Sequence, residues 1–317
     1  MCRALLYLGE PVLLDNLLFQ PDSALVRQSY MPKMLNMLNL AGFGLRAWDA
    51  GSHQPEKPFF YGSPSLPVFD RNLKNLAEKV RAACVLAHVR GVAYSAAVEI
   101  SLQNVHPFQF DGVPWALAHN GDLAGMDALK PRLAPHIQPR FLAGIRGTTD
   151  SEWIYALFMS QLSDPGAPAT EDEAFEALGR TLAVLRLARA DAGVSVSSAV
   201  NLFIANGRQL VALRYCFDFG RYDIESVMRE AVKRDGVDRV HEANLSFLSL
   251  WYTLGRNYAL HGNEWKMTGG AERAESILVA SEPLTRDTSS WVELPEYGAL
   301  FAEIRNGRPY VSVRLLD

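Results

Sequence analysis

Cys2 directly follows the initiator methionine, and its side chain is small enough for methionine aminopeptidase to accept. Removal of Met1 would leave one residue carrying both a thiol and a free α-amine. Ordinary pKa values are about 7.7–8.0 for such an amine and about 8.5 for a thiol, so near neutral pH the amine can act as base for its own nucleophile. A pair of this kind attacks acyl carbons. The thiolate adds to a carbonyl, the amine moves the proton, and water later opens the thioester that forms. Cleaving an amide this way also requires donors for the oxyanion and a grip on the substrate.

Residues suited to those tasks stand downstream in ordered blocks. His88-Val89-Arg90 closes the apolar run Val85-Leu86-Ala87, and Asn104-Val105-His106-Pro107-Phe108 follows. Next come His119-Asn120-Gly121, after Trp115-Ala116-Leu117-Ala118, and Thr149-Asp150-Ser151-Glu152 before an apolar-periodic stretch. The Asn120 side-chain N–H and the Gly121 backbone N–H could converge on one oxygen, but Asn-Gly is equally a turn dipeptide. Arg90 has the planar fork that binds a carboxylate bidentately; it could as well be an ion-paired residue at a strand end. Asp150 could face an ammonium. Thr149-x-x-Glu152 is itself a capping box, however, and it puts Asp150 in a first helical turn where acidic side chains favour the helix dipole. His88, His106 and His119 lack H-E-x-x-H or comparable ligand spacing, so no metal site is expected. His106 is expected to hold a loop through hydrogen bonds, and Cys84 and Cys216 to be small core residues.

With Cys2 in front, the order of these blocks resembles the class II glutamine amidotransferases, which carry H-x-R, H-P-F, H-N-G and T-D-[ST]-E. Within that family the chain looks closest to the stand-alone branch of YafJ-like, EgtC-like and Dug3-like proteins, and Val279-Ala280-Ser281-Glu282-Pro283-Leu284 is similar to that branch too. The resemblance implies an α+β, N-terminal-nucleophile hydrolase fold, a four-layer α/β/β/α sandwich of two antiparallel sheets. It also implies hydrolysis of the γ-glutamyl amide of glutamine or a γ-glutamyl compound through a Cys2 thioester, releasing glutamate, with no cofactor or metal. Cys2 would be nucleophile and α-amine base, Asn120 and Gly121 the oxyanion hole, and Arg90 and Asp150 the holders of the glutamyl head. Since the glutaminase-like unit consumes nearly the whole chain, either a separate synthase or peptidase subunit receives the ammonia or the enzyme simply hydrolyses γ-glutamyl compounds.

The pattern is not matched throughout. Arg90 is followed by Gly91-Val92-Ala93-Tyr94 where the wider family often has Ala-Thr, and an early D-G-W-G block reads Ala41-Gly42-Phe43-Gly44. Both changes point away from free glutamine as the preferred substrate. They also support the rival reading, a non-catalytic γ-glutamyl-binding regulatory subunit on the same fold.

The elements that must position these residues alternate short strands with amphipathic helices. Arg3–Leu8, Gly44–Trp48, Val85–Val89 and Trp115–His119 read as strands, and Asn206-Gly207 and Asn306-Gly307 as type I′ hairpin turns. Thr170 and Glu173 form a capping box before Phe175, Leu178, Leu182 and Leu185, with Gly193 as the stop. Asp223 to Gly236 reads as a second capped helix, and Gly51–Pro67, with four prolines, as a long irregular loop. A single domain over residues 2–317 is expected, variable at about 216–270, where Trp251, Tyr252, Tyr258 and Trp265 could form a partner surface or complete the core. The chain has 317 residues, 49% apolar and 21% charged, with a net charge of −4, ordinary for a globular domain and no basis for nucleic-acid binding. No apolar run approaches a membrane span and no secretory leader is visible. The three cysteines form no C-x-x-C pair, which predicts a reducing, cytoplasmic setting.

Overall fold

The computed structural model describes residues 2–34, 38–92, 99–219 and 248–316. Its strands, in chain order, are β1 (Arg3–Leu13), β2 (Phe43–Trp48), β3 (Phe59–Ser63), β4 (Arg81–Val89), β5 (Ala116–Asp122), β6 (Ser198–Ala205) and β7 (Gln209–Leu213). These are followed by β8 (Cys216–Phe217), β9 (Trp251–His261), β10 (Glu264–Thr268), β11 (Ser276–Ala280), β12 (Val292–Glu293), β13 (Gly298–Arg305) and β14 (Arg308–Leu315). The helices are α1 (Leu14–Leu18), α2 (Arg71–Ala77), α3 (Met126–Leu133), α4 (Pro139–Leu142), α5 (Asp150–Gln161) and α6 (Glu171–Asp191).

The strands form two antiparallel sheets. The first runs β10-β9-β11-β1-β4-β2-β3, with β12 beside β9, and the second runs β14-β13-β7-β6-β5, with β8 beside β6. Alternation along each strand sends side chains to two different cores. Ala4, Leu6 and Leu8 of β1 meet Ala116, Ala118, Phe203, Leu210 and Leu300 between the sheets. Leu5 and Tyr7 point outward beneath Leu14, Leu17 and Leu18 of α1 and Leu73 of α2. On the far side, Leu117, Leu202, Ile204 and Phe301 pack under α5 and α6 through Ile154, Leu157, Phe158, Leu178, Leu182 and Leu185. The result is the expected α/β/β/α sandwich. Strand β6 is buried at every position because both its faces are covered.

Local readings hold or fail for identifiable reasons. The terminal hairpin returns to the second sheet, and Asn306 and Gly307 adopt φ of 51° and 74°, as a type I′ turn requires. Asn206-Gly207 does not make that turn: only Gly207 has positive φ, and Asn206 Oδ1 instead accepts from the Arg208 and Gln209 N–H groups at 3.0 and 2.8 Å. Thr170 caps α6, but Glu173 bonds Ser163 rather than completing the box. Gly51–Pro67 is not wholly irregular, since Phe59–Ser63 pairs with β2. Asp223 to Gly236 lies outside the described residues. The aromatics of β9 and β10 complete the core, with Tyr258 fully buried and Trp251 and Trp265 packed on the same cluster.

Candidate active site

Cys2 stands at the open end of the layer between the sheets, one side-chain alternation before Ala4. It is 6% exposed, and its Sγ accepts from the Gly91 N–H at 3.4 Å. Burial pushes the thiol up, opposed in part by the Gly91 hydrogen bond and the Arg90 charge. Arg90 continues β4, which pairs with β1, so strand pairing alone carries Arg90 to Cys2. Its backbone is clamped by Gly42, whose carbonyl accepts from Arg90 N–H at 2.8 Å, and by Ala41, whose N–H donates to Arg90 O. Its Nη1 donates to the Glu99 carbonyl at 3.0 Å, and among the described residues most of the fork's donors are left for a ligand. Burial lowers the guanidinium's pKa, and Cys2 and Asp150 oppose that.

Gly42 and Gly44 have a steric reason to be glycine. A Cβ on Gly44 would come within 2.1 Å of the His106 carbonyl, and one on Gly42 within 2.9 Å of the Ser63 carbonyl. The early glycine pair therefore lets the His106 loop and β3 close over β2.

Asp150 opens α5. Thr149 Oγ1 accepts from the Glu152 N–H at 3.3 Å, capping the helix, while Glu152 Oε1 accepts from the Arg146 and Gly147 N–H groups at 2.9 and 3.0 Å. The acidic half of the cap thus secures the loop before the helix rather than the Thr149 N–H. Asp150 is not merely a dipole partner, because its Oδ2 accepts from the Leu123 N–H at 2.7 Å, just beyond β5. Ser151 Oγ donates to Asp150 Oδ1 at 3.0 Å and lies 3.0 Å from His119 Nδ1.

The strand β5 runs unbroken through Asn120 and Gly121 to Asp122, paired with Asn201, Val200 and Ala199 of β6. The turn reading of Asn120-Gly121 is therefore corrected: cross-strand pairing overrides the dipeptide's turn tendency. A Cβ on Gly121 would stand 2.0 Å from the Ala199 carbonyl and 2.4 Å from His119 Nε2. Only glycine fits there.

An open cleft of about 1520 Å³ is lined by Cys2, Arg90, Gly121 and Asp150, with Asp122 and Lys130 further along. Four of the five residues expected to act together thus share one cavity. Asn120, next to Gly121 on β5, is itself buried, with Nδ2 donating to Ser281 Oγ at 3.2 Å and, among the described residues, Oδ1 without a partner. Burial next to Asp150 raises the Asp122 carboxyl's pKa. Ala93 lies outside the described residues.

His106 is not the hydrogen-bonded loop anchor expected from the sequence. Among the described residues the His106 ring has no hydrogen-bond partner at either nitrogen, and it stacks on His88, with centroids 4.2 Å apart, and on Phe108 at 4.5 Å. His88 Nε2 donates to the His119 carbonyl at 3.2 Å. Burial holds His88 neutral, its pKa lowered to about 3, and lowers that of His106 well below the ordinary value. Among the described residues no group of three or more His, Cys, Asp or Glu side chains is placed to hold a metal. Cys84 and Cys216 are buried thiols pushed up to about 12 and about 11 by desolvation.

Sequence reading assigned no role to Arg3, Ser281 or Glu282. Arg3 Nη1 donates to the Cys2 carbonyl at 3.0 Å, and Arg3 Nε lies 3.5 Å from Glu282 Oε2. Glu282 also accepts from Ser23 Oγ and from the Lys33 and Met34 N–H groups. The available signal was the Ser281-Glu282 motif itself, together with a charged residue placed straight after the nucleophile.

This geometry can be set beside known proteins. A family model described as class-II glutamine amidotransferases matches residues 65–232. The chain belongs to that family. As a class-II glutamine amidotransferase it is an enzyme that acts on an amide. It is 28% identical to "Probable glutamine amidotransferase DUG3" of Saccharomyces cerevisiae over 313 residues, 93% of this chain and 80% of that one. It is 28% identical over 218 residues to the gamma-glutamyl-hercynylcysteine sulfoxide hydrolase of Mycolicibacterium smegmatis, 67% of this chain and 78% of that one. Among solved structures, a glutamine aminotransferase class-II domain protein from Silicibacter pomeroyi superposes with a TM-score of 0.58 at 20% identity, over the full length of both chains. The glutamine PRPP amidotransferase of B. subtilis gives 0.52 at 14% identity, over 98% of this chain and 49% of that one. At these identities the structural likeness speaks for the fold. No helix among the described residues is long and apolar enough to cross a membrane.

Proposed function

We propose that this class-II glutamine amidotransferase hydrolyses a γ-glutamyl amide through a Cys2 thioester, acting as a single domain over residues 2–317. The observation that carries the reading is the convergence of Cys2, Arg90, Gly121 and Asp150 on one cleft from four separate chain segments. A glutamyl head bears one carboxylate and one ammonium. Arg90 pairs with the first through its free N–H donors and Asp150 with the second, which lays the γ-carbonyl across Cys2 Sγ. Removal of Met1 exposes the α-amine. The thiol then passes its proton to that amine as Sγ bonds to the carbonyl carbon. The carbonyl oxygen becomes an oxyanion held by the Gly121 N–H and the Asn120 amide. Collapse breaks the C–N bond, the amine leaving group takes the proton, and water hydrolyses the thioester to glutamate. The hydrolase name of the Mycolicibacterium relative supports a γ-glutamyl compound in preference to free glutamine. The name of the yeast relative, a probable glutamine amidotransferase, supports a variant in which the amide nitrogen passes to an acceptor.

Intact mass before and after a γ-glutamyl-like diazoketone tests this. The expected result is a chain lacking Met1 that gains one adduct, blocked by excess γ-glutamyl substrate and absent in Cys2→Ala, whose turnover drops by at least about 10³-fold. Retention of Met1 in active protein, or full hydrolysis by Cys2→Ala, would overturn the mechanism. Saturable γ-glutamyl binding with no turnover would identify the regulatory-subunit alternative.

A further inference from the structure

The Ser281 hydroxyl and the Asn120 amide stand in an arrangement whose hydrogen bonds do not close. Ser281 Oγ accepts from the Ala4 N–H at 3.0 Å and from Asn120 Nδ2 at 3.2 Å. Both its lone pairs are therefore used, and among the described residues nothing accepts its proton. Asn120 is buried, and its Oδ1 has no donor. A proton without an acceptor thus neighbours an oxygen without a donor. Ser281 itself cannot drift: its N–H donates to the Ala4 carbonyl at 3.0 Å, and its carbonyl accepts from Ser249 Oγ at 2.8 Å.

Half a rotation of the Asn120 amide about its Cβ–Cγ bond changes this pattern. Ser281 Oγ–H then donates to Oδ1 while Oγ still accepts from Ala4. Both Nδ2 hydrogens turn to the place Oδ1 occupied, and they are satisfied only when an acceptor arrives there. Asn120 shares its strand face with Ala116 and Ala118, which line the layer between the sheets next to Ala4. Cys2 is one alternation from Ala4, about 7 Å along the strand. An oxyanion developing on a carbon attacked by Cys2 would be such an acceptor.

We propose that Ser281 is a positioning residue that sets the direction of the Asn120 amide, turning Nδ2 toward the oxyanion as it forms. The idea rests on the hydrolytic reading above and deepens it. The interaction is absent in the resting protein and complete only at the charged intermediate, so it raises kcat rather than ground-state affinity.

The test measures steady-state hydrolysis of a γ-glutamyl anilide by wild type, Ser281→Ala, Ser281→Thr, Asn120→Ala and the S281A/N120A double variant. Removing an oxyanion donor outright typically costs about 10²–10³ in rate, so loss of its aim in Ser281→Ala is expected to lower kcat about 10–100-fold with KM changed less than about threefold. Ser281→Thr keeps the donor and recovers most of the rate. The double variant is no slower than Asn120→Ala, since without Asn120 there is nothing to aim. An aldehyde analogue that adds to Cys2 as a tetrahedral adduct loses affinity in Ser281→Ala by the same factor as kcat, whereas glutamate does not. Should Ser281→Ala fail to fold, Ser281→Cys, a poorer donor of similar size, is read the same way. Unchanged kcat in these variants, a loss confined to KM, or losses that multiply in the double variant would each overturn the assignment. If wild type itself neither turns over nor labels at Cys2, the parent reading fails instead.

Discussion

At Gly121 a single hydrogen atom separates a workable site from a clash. An added methyl group would sit 2.0 Å from the Ala199 carbonyl, so Gly121→Ala must push β5 away from β6. Overpacking of this kind costs about 1–3 kcal/mol, and we expect an equal loss in urea unfolding together with near-complete loss of hydrolysis. Gly179, within α6, offers the control: a Cβ there meets nothing, and Gly179→Ala should stabilise by about 1 kcal/mol with activity intact. Arg90→Lys tests the clamp. Lysine keeps the charge but cannot hold a carboxylate bidentately while also donating to the Glu99 carbonyl. The expected result is KM raised about 10–100-fold, the worth of a charge-assisted hydrogen bond, with a much smaller change in kcat; unchanged KM would remove Arg90 from the substrate. Cys2, Arg90 and Asp150 stood out as candidates from residue type and order, and they share the cleft. The tie from Ser281 to Asn120 did not stand out, because 161 residues separate the two and only folding makes them neighbours.

Among the elements, α5 matters most to the site because its first turn carries Asp150. Thr149 supplies the cap, and loss of a Thr cap costs about 0.5–2 kcal/mol. Thr149→Ala should therefore lower the unfolding free energy by about 1 kcal/mol and also raise KM, as the frayed turn shifts Asp150 away from the Leu123 N–H. A stability loss without any KM change would show that Leu123 alone fixes the carboxylate. Most strands and both capped helix starts at Thr149 and Thr170 were visible in the sequence, because capping and alternation are local rules. The misreadings came where a long-range partner outbid a local signal. Asn120-Gly121 was drawn into β5 by β6, and Phe59–Ser63 was recruited by β2 from a stretch whose prolines suggested a loop. At Asn206 a side chain took the backbone N–H groups that set the turn.

For the molecule as a whole, the buried histidines couple fold to pH. His88 has a folded pKa of about 3 against an ordinary 6.5, and His106 is shifted in the same direction. Below pH 6.5 the unfolded chain takes up protons that the folded chain refuses, so stability falls as pH drops from 6.5 toward 3. By pH 5 this amounts to about 2 kcal/mol for His88 relative to pH 7, and His106 adds to it in the same direction. Urea unfolding at pH 7 and pH 5 checks the figure, and equal midpoints would mean that the stacked pair takes up protons without unfolding. The His106 ring lines the cleft and His88 stacks on it, so acid should weaken the sandwich at its active end first.

Residue chemistry and local order, read along the chain, were enough to single out candidate reactive groups and the family they resemble, and through that resemblance the layered architecture. Those properties are local: they depend on residue type, short spacing and the order of blocks. Only the tertiary structure decided which groups face the cleft, that Asn120 is buried against Ser281, and that Arg3, Ser281 and Glu282 bind the start of the chain to strand β11 and the loop beyond it. Such contacts depend on sheet register and on two layers meeting face to face, and neither leaves a trace in any short stretch of sequence.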